Sequence, residues 1–350
     1  MSDPNTLRIL SFDGGGARGY MSLVWFKRFI QTWGINPAAL AQQFDVICGT
    51  SVGGIVALAY AFGKTPDEIE PFFVESAPYI FSTTSFIPSS RPGLVTKVGL
   101  ALANIPFYQS SGPTEEDYGA GLLRVTLQNE FGTNTLQNLQ TNVIIPSYQY
   151  DNSKYVLFSN LNYPEFIGQN ELISNVALAT SAAPLYLPSI LFGGHEYLDG
   201  GIYENNPAEF GRTLAQMVKP RANRYCILSI GTGLGEMGFD PGNPDIIDPR
   251  VDPALIALLN IAADSTIIFS LFDIAMVGGQ ESTAQALYLE ATNTLSQLYY
   301  YRFQPQLDLN INTELDNTDP EIYTYYSTTA NNNFNEDIDN ISIFIGHLEA

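Results

Sequence analysis

A five-residue segment at 49–53, Gly-Thr-Ser-Val-Gly, constrains the fold of this chain more than any other feature. It follows an apolar run at 44–48 that is typical of a buried strand, and it precedes an apolar run at 54–59 that is typical of a helix. A sharp turn between a strand and a helix lifts the hydroxyl of Ser51 away from the backbone, and the glycines let the two elements pack closely. We therefore predict that Ser51 is a nucleophile. The alternative is an ordinary glycine-rich turn.

A second glycine-rich loop lies at 13–19, with the sequence Asp-Gly-Gly-Gly-Ala-Arg-Gly, between a predicted strand at 7–12 and a predicted helix. Successive backbone N–H groups at a helix N-terminus bind anions. Beside an activated serine, that anion would be the oxyanion of an acyl-transfer intermediate, and the candidate donors are Gly14, Gly15 and Gly16. Arg18 is predicted to brace this loop, to contact a substrate phosphate, or to form a surface salt bridge.

The same glycines have a competing interpretation as a dinucleotide fingerprint. Gly14, Gly16 and Gly19 match the spacing G-x-G-x-x-G after a strand, but that fingerprint requires an acidic residue about 20 positions later. No Asp or Glu lies between Gly19 and Phe44, and no Gly-Lys-Ser/Thr follows that would indicate a phosphate-binding loop of the Walker type. The pattern therefore disfavours a nucleotide cofactor, although an NAD-dependent oxidoreductase remains an alternative.

A serine nucleophile needs a base, and the chain has only two histidines, His195 and His347. The order Ser51, Asp199, His347 matches that of a hydrolase triad, but chain ends fray, which disfavours His347. His195 would lie about 13 Å along a strand from Asp199, so both could not contact one serine. Asp199 itself can accept the proton if burial raises its pKa. A simple Asp-Gly-Gly turn at 199–201 is the alternative.

Taken together, these segments resemble the patatin-like phospholipases. Further matches in the order of the family are Ala-Thr-Ser-Ala-Ala-Pro at 179–184, Glu-Asn-Asn-Pro at 204–207 and Leu-Ser-Ile-Gly-Thr-Gly at 228–233, so the resemblance covers residues 7–235. It implies an α/β fold in three α/β/α layers around a mostly parallel sheet. It also implies a Ser51–Asp199 dyad, an oxyanion hole from Gly14 to Gly16, and phospholipase A type hydrolysis without a metal or cofactor. A catalytically silent lipid-binding or scaffold protein is the alternative.

The charge of the chain limits its partners. It has 15 Lys and Arg against 36 Asp and Glu, a formal net charge of −21. This excess of acid argues against nucleic acid, and also against docking on anionic lipid through basic patches. We expect a lipid substrate at a membrane or micelle surface. No Lys or Arg follows Arg302, so the acidic C-terminal part is either a solvated face or a contact surface for a basic protein partner or an activator.

The sequence carries no signal peptide and no apolar run long enough for a membrane span, which predicts a cytoplasmic or peripheral membrane protein, with signal-less export as an alternative. Cys48 and Cys226 lie in apolar runs and are expected to be buried free thiols.

We predict a catalytic core at 1–235 and a helical, acidic C-terminal part at 236–350 that packs on the same domain. A proline-rich stretch at 82–113 is predicted to be an insertion, either a lid over an apolar cleft or a loop packed on the core. The segment 252–298 is expected to be mostly helical, and the Asn-rich run at 330–335 is expected to be a polar loop.

Overall fold

The computed structural model describes residues 4–83, 119–184, 186–234, 265–293, 295–308 and 310–350. Within these residues, nine strands form one sheet. The strands are β1 Thr6–Phe12, β2 Val46–Gly49, β3 Asn142–Gln149, β4 Lys154–Phe158, β5 Phe166–Ile167, β6 Ile190–Phe192, β7 His195–Asp199, β8 Arg224–Ile230 and β9 Leu298–Phe303. The helices are α1 Gly19–Trp33, α2 Val52–Phe62, α3 Pro66–Pro71, α4 Ala77–Thr83, α5 Gly119–Phe131, α6 Ile173–Thr180, α7 Ala208–Ala215, α8 Ser265–Ala291, α9 Pro320–Glu336 and α10 Ile338–Glu349.

Local sequence signals explain where several helices begin and end. Thr65 caps the start of α3 in a reciprocal pairing with Glu68, and proline occupies the first helical turn, where its missing N–H costs nothing. Helices α1 and α2 both end at glycines in the left-handed conformation, Gly34 at φ 74° and Gly63 at φ 99°. A π-helical turn at Phe72–Ser76 joins α3 to α4.

The sheet is mostly parallel, as predicted. The strands follow the order β5-β4-β3-β2-β1-β8-β9, in which β3, β2, β1, β8 and β9 run parallel to one another. The antiparallel pairs lie at one side, where β4 and β7 both pair with β3 and β6 pairs with β7. The carboxyl ends of the central parallel strands therefore meet at one edge of the sheet, the usual location of a site in an α/β fold.

Helices cover both faces of the sheet and bury two apolar clusters. Alternation along β1 sends Leu10 and Phe12 to the larger cluster and Leu7 and Ile9 to the smaller one. The larger cluster includes side chains of α1, α2, α6, α9 and α10, and the smaller one includes side chains of α7 and α8. This arrangement is the three-layer α/β/α architecture that the sequence predicted.

The C-terminal part differs from the prediction in two respects. It contributes a strand, β9, which pairs in parallel with β8 over six residues, although this part was expected to be helical. The prediction of a polar loop at 330–335 is also wrong, because this run lies within α9. Ala330 and Phe334 are buried one helical turn apart, and Phe334 packs its ring against Trp25 of α1. This apolar packing outweighs the low helix propensity of asparagine.

Other sequence predictions have mixed outcomes. The predicted insertion at 82–113 lies, apart from residues 82 and 83, outside the described residues, as does the segment 252–264 of the predicted helical region. The rest of that region is mainly α8, which has 27 residues. Cys48 and Cys226 are buried free thiols, as expected. No described helix is both long enough and apolar enough to cross a membrane.

Candidate active site

Ser51 lies at the turn between β2 and α2 in an unusual backbone conformation. Its φ is +57° and its ψ is −130°, a combination that L-residues with side chains rarely adopt. Two contacts hold the turn in place: the Ser51 N–H donates to Thr180 Oγ1 at 3.0 Å, and Thr50 Oγ1 donates to the Glu204 carbonyl at 2.8 Å. A side chain at Gly53 would meet the Phe12 and Asp13 carbonyl oxygens within 2.5 Å, so glycine is required there. Strain of this kind is often kept at functional sites.

The sheet topology brings Asp199 to this turn. Strand β4 pairs along one edge of β3, so β2 and β7 share the other edge, with β2 at residues 142–144 and β7 at residues 147–149. Because β7 is antiparallel to β3, its last residue, Asp199, points along the sheet toward the end of β2. Cys48 pairs with Ile144 and Asp199 with Ser147, and these two positions on β3 lie about 10 Å apart. Ser51 follows β2 into this gap.

Asp199 is completely buried. Its Oδ1 accepts a hydrogen bond from the Gly201 N–H at 2.7 Å, whereas its Oδ2 has no partner of normal geometry among the described residues. Burial raises the pKa of Asp199 to about 7, and the neighbouring Ser51 hydroxyl and the Gly201 N–H lower it to a smaller extent. The Asp199 carboxyl group thus lies next to the Ser51 hydroxyl, has one oxygen without a hydrogen bond, and titrates near neutral pH.

The glycine loop lies beside both side chains. The Gly14 N–H donates to the Asn205 carbonyl at 3.2 Å, so of the three predicted donors Gly14 is already engaged. Gly15 and Gly16 have no such acceptor among the described residues, and Gly16 lines the same pocket as Ser51. Gly16 has a φ of +55°, and a Cβ there would lie 2.2 Å from the carbonyl oxygen of Leu315. Glycine is thus required for this close approach.

Ser51 and Asp199 both line one pocket with a mainly apolar wall. Helices α2, α4, α5 and α8 and the π-helical turn contribute to it, together with residues from the loops at 181–187 and 315. The apolar lining residues are Ala17, Val52, Ile55, Phe72, Phe73, Ala77, Ile80, Phe81, Leu123, Ala183, Leu187, Met276 and Leu315. A hydrocarbon chain buried in such a pocket gains hydrophobic stabilisation, and a charged or strongly polar ligand would lose its hydration.

Two pocket residues come from a region where sequence reasoning assigned no role in the site. Met276 of α8 and Leu315 pack together with Tyr186, and the Leu315 carbonyl accepts a hydrogen bond from the Ala17 N–H at 2.7 Å. Both lie beyond the motifs and far along the chain, so only tertiary structure brings them to the serine. The sequence did show that the 252–298 segment, which contains Met276, is rich in apolar residues. That richness does not distinguish a helix in the core from one that lines a pocket.

Arg18 lies on the loop and does not line the pocket. Its Nε lies 3.5 Å from the Gly15 carbonyl oxygen, and its side chain is half-buried. This placement fits the predicted role of bracing the loop. A contact with a substrate phosphate stays a prediction.

Neither histidine lies near Ser51. His347 stacks on Tyr299 with the ring centroids 3.9 Å apart, beside Arg224, at the edge of the sheet where β8 and β9 begin. The described C-terminal helix is packed rather than frayed, because the Leu348 carbonyl accepts a hydrogen bond from Arg8 Nε at 2.6 Å. His195 begins β7, with its Nδ1 2.8 Å from Asp151 Oδ2 and its side chain 44% exposed.

We expect His195→Ala and His347→Ala each to retain ester hydrolysis within about twofold of the unchanged protein, because neither ring can reach the serine. Initial rates with a chromogenic short-chain ester measure this directly. A loss of more than about 100-fold in His347→Ala, with an unchanged melting temperature, would instead indicate a triad, because loss of a general base has effects of at least that size.

Among the described residues, no group of three or more His, Cys, Asp or Glu side chains is arranged to hold a metal ion. The carboxylates close to the site are instead paired or hydrogen-bonded within the protein. Asp13 forms an ion pair with Arg302 at 2.7 Å, and Glu204 contacts Thr283 Oγ1 at 3.3 Å.

The strained serine turn, the buried carboxylate and the glycine loop lie around one pocket of an α/β protein with a mostly parallel sheet between two helical layers. The family model "Patatin-like phospholipase" matches residues 10–210, which is more than half of the 350 residues, and the chain belongs to this family.

Curated relatives agree with this assignment. A cGAMP-activated phospholipase of Vibrio cholerae is 36% identical over 66% of this chain and 65% of its own length. Patatin-like protein 2 of Arabidopsis thaliana is 31% identical over 65% of this chain and 60% of its own length. The chain thus spans less than two thirds of the length of these relatives. VipD of Legionella pneumophila aligns over 99% of this chain and 68% of its own, with 13% identity and a TM-score of 0.46.

Proposed function

We propose that this protein is a lipid acyl hydrolase of the phospholipase A type, in which Ser51 is the nucleophile and Asp199 is the base. The observation that carries the proposal is the pocket itself, because Ser51 and the buried Asp199 lie together in a wall that is otherwise almost entirely apolar. Such a pocket suits the acyl chain of a lipid and places the ester carbonyl next to the serine.

The first half of the reaction forms an acyl-enzyme. Asp199 Oδ2 accepts the proton of the Ser51 hydroxyl while Oγ attacks the ester carbonyl carbon. The carbonyl π electrons move onto oxygen, and the resulting oxyanion accepts hydrogen bonds from the Gly15 and Gly16 N–H groups. When the intermediate collapses, the C–O bond to the leaving alcohol breaks, and Asp199 returns its proton to that alcohol.

The second half repeats these steps with water. Asp199 takes a proton from water, the hydroxide oxygen attacks the acyl-serine, and the same N–H groups stabilise the second oxyanion. Collapse releases the fatty acid, and the proton on Asp199 returns to Ser51 Oγ. Each oxyanion donor is expected to lower the barrier by about 3 kcal/mol, and the backbone donors act without a metal.

The pKa of Asp199 suits this role. An aspartate with an ordinary pKa of about 3.9 is a weak base toward a hydroxyl. Burial raises the pKa of Asp199 to about 7, which keeps a useful ionised fraction at neutral pH and makes that fraction a stronger base. The hydrogen bond from the Gly201 N–H orients the carboxylate so that Oδ2 is free for the proton.

The proposed substrate is a phospholipid or related lipid at a membrane or micelle surface, reached by a cytoplasmic or peripheral protein. With a net charge of −21, adsorption would depend on apolar and aromatic side chains or on a partner. A small-molecule activator is part of the proposal, since the relative from Vibrio cholerae is described as a cGAMP-activated phospholipase.

The proposal is tested with phospholipid vesicles and a fluorophosphonate probe, each with and without cGAMP. We expect release of fatty acid, measured by mass spectrometry of the lipid extract, and probe labelling that peptide mass spectrometry maps to Ser51. A silent lipid-binding protein of the same fold would bind vesicles but neither release fatty acid nor react with the probe under either condition. An increase in melting temperature with NAD would favour the oxidoreductase alternative.

A further inference from the structure

A buried ion pair lies at the start of the glycine loop. Arg302 of β9 places Nη2 2.7 Å from Asp13 Oδ2, and its Nη1 donates to Asp13 Oδ1 at 3.3 Å and to Ser229 Oγ at 2.7 Å. The Asp13 side chain is fully buried, and that of Arg302 is 10% exposed. The guanidinium thus holds the carboxylate by both oxygens, a geometry that fixes orientation as well as charge.

The register of the sheet sets the position of this pair. Ser229 of β8 pairs with both Ser11 of β1 and Arg302 of β9, so the three residues form one row across the sheet. Residues in such a row project to the same face of the sheet. Arg302 therefore reaches past Ser229 to the residue that follows β1. A shift of β9 by one residue would send its side chain to the other face.

Asp13 is joined to the proposed oxyanion donors through a single residue. Its N–H donates to the Ile230 carbonyl at 2.9 Å, which extends the β1–β8 pairing by one step. Next along the chain, the Gly14 carbonyl accepts a hydrogen bond from Thr232 Oγ1 at 2.8 Å. Gly15 follows directly, so the ion pair and these two bonds fix the start of the loop that carries the donors.

Arg302 is also needed to balance the negative charge of the buried Asp13. Burial raises the pKa of Asp13 to about 6, and the charge and hydrogen bonds of Arg302 act against this rise. Glu281, 4.0 Å from Arg302, adds a further negative charge nearby. Without Arg302, Asp13 would be a buried carboxylate without its cation, which is strongly unfavourable, and it would take up a proton or move.

We propose that Arg302 is a positioning residue for catalysis, which fixes Asp13 and through it the N–H groups of Gly15 and Gly16. This inference rests on the proposed acyl-transfer function. It assigns a role in the reaction to β9, which lies outside the residues matched by the family model. Because the oxyanion forms only after the serine has attacked, a misplaced donor lowers kcat far more than it raises KM.

The test compares Arg302→Met with a matched control, Lys219→Met. Lys219 forms a comparable ion pair with Asp45 at 2.7 Å, and the two side chains are 18% and 14% exposed. Asp45 precedes the first residue of β2, at the end of that strand opposite to Ser51. We expect Arg302→Met to lower kcat about 100-fold with KM within about threefold, as for a misplaced catalytic group. Lys219→Met should change neither kcat nor KM by more than about threefold, even if its melting temperature falls.

Two further variants keep the test decisive if Arg302→Met does not fold. The double variant Asp13→Asn with Arg302→Met leaves no unpaired charge, and we expect it to fold with kcat still reduced about 100-fold. Arg302→Lys keeps the charge but not the bidentate contact, and we expect it to restore kcat partly, to about a tenfold reduction.

Two results would overturn the inference. One is a folded variant without the guanidinium whose kcat lies within threefold of that of the unchanged protein. The other is a loss of kcat in Lys219→Met as large as that in Arg302→Met. Absence of Ser51-dependent hydrolysis in the unchanged protein would overturn the proposed function and this inference together.

Discussion

Replacing Ser51 with alanine is expected to lower ester hydrolysis by roughly 10⁴- to 10⁶-fold, the size of effect seen when a serine hydrolase loses its nucleophile. Alanine keeps the Cβ and the backbone hydrogen bond to Thr180, so the turn should retain its shape. The expected shift in melting temperature is no more than about 2 °C. Steady-state rates with a phospholipid or a chromogenic ester, together with a thermal melt, measure both quantities.

Ser174→Ala provides the matched control for this prediction. Ser174 is also a buried serine, on the neighbouring helix α6, and its Oγ has no hydrogen-bond partner among the described residues. Its removal should leave the rate within about twofold, because no contact with the pocket is lost. Hydrolysis by Ser51→Ala at more than about 1% of the unchanged rate, with fluorophosphonate labelling at another residue, would show that a different nucleophile acts.

Asp199→Asn is expected to lower kcat roughly 10⁴-fold, because asparagine is nearly the same shape but cannot accept a proton. The expected pH profile of the unchanged protein follows from the pKa of about 7. The base must be ionised, so kcat/KM should rise about tenfold per pH unit below 7 and level off above it. A flat profile between pH 5 and 8 would contradict the assignment of Asp199 as the base.

Asp199→Asn is expected to lower activity but to raise stability at neutral pH. In the unfolded chain Asp199 ionises near pH 3.9, whereas burial raises its pKa in the folded protein to about 7. Between these values the folded state binds more protons, so the free energy of unfolding falls as pH rises from about 4 to about 7 and then stays level. Asp199→Asn removes this loss, which is on the order of a few kcal/mol. The difference in melting temperature between Asp199→Asn and the unchanged protein should therefore be more favourable to the variant at pH 8 than at pH 4.

The parts of the site that lie within short segments could be predicted from the sequence. The turn around Ser51 is specified by glycines and by the change from strand to helix, and the loop at 13–19 by three successive glycines before a helix. Asp199 ends a short apolar segment and precedes two glycines. The first two patterns depend on neighbouring residues, so local sequence suffices to identify them. Asp199 before two glycines could equally be a simple turn, and it is favoured only when the serine turn and the glycine loop are considered with it.

The parts that depend on contacts between distant segments could not be predicted. The contact of Arg302 with Asp13 depends on the register of β9 against β8, and the place of Met276 in the pocket depends on how α8 packs. The helix around Phe334 shows the same limit, because its asparagines favour a loop locally while burial against Trp25 favours a helix. Even the engagement of Gly14 depends on Asn205, which is remote in sequence.

The pairing of β9 with β8 has a practical consequence for anyone who trims this protein. A fragment that stops at residue 235 would leave β8 as the last strand of the sheet, with its backbone N–H and C=O groups open along one side. Ile227 and Leu228 in that strand are completely buried in the intact chain. A bare, apolar strand of this kind recruits other chains, so such a fragment would be expected to aggregate on expression.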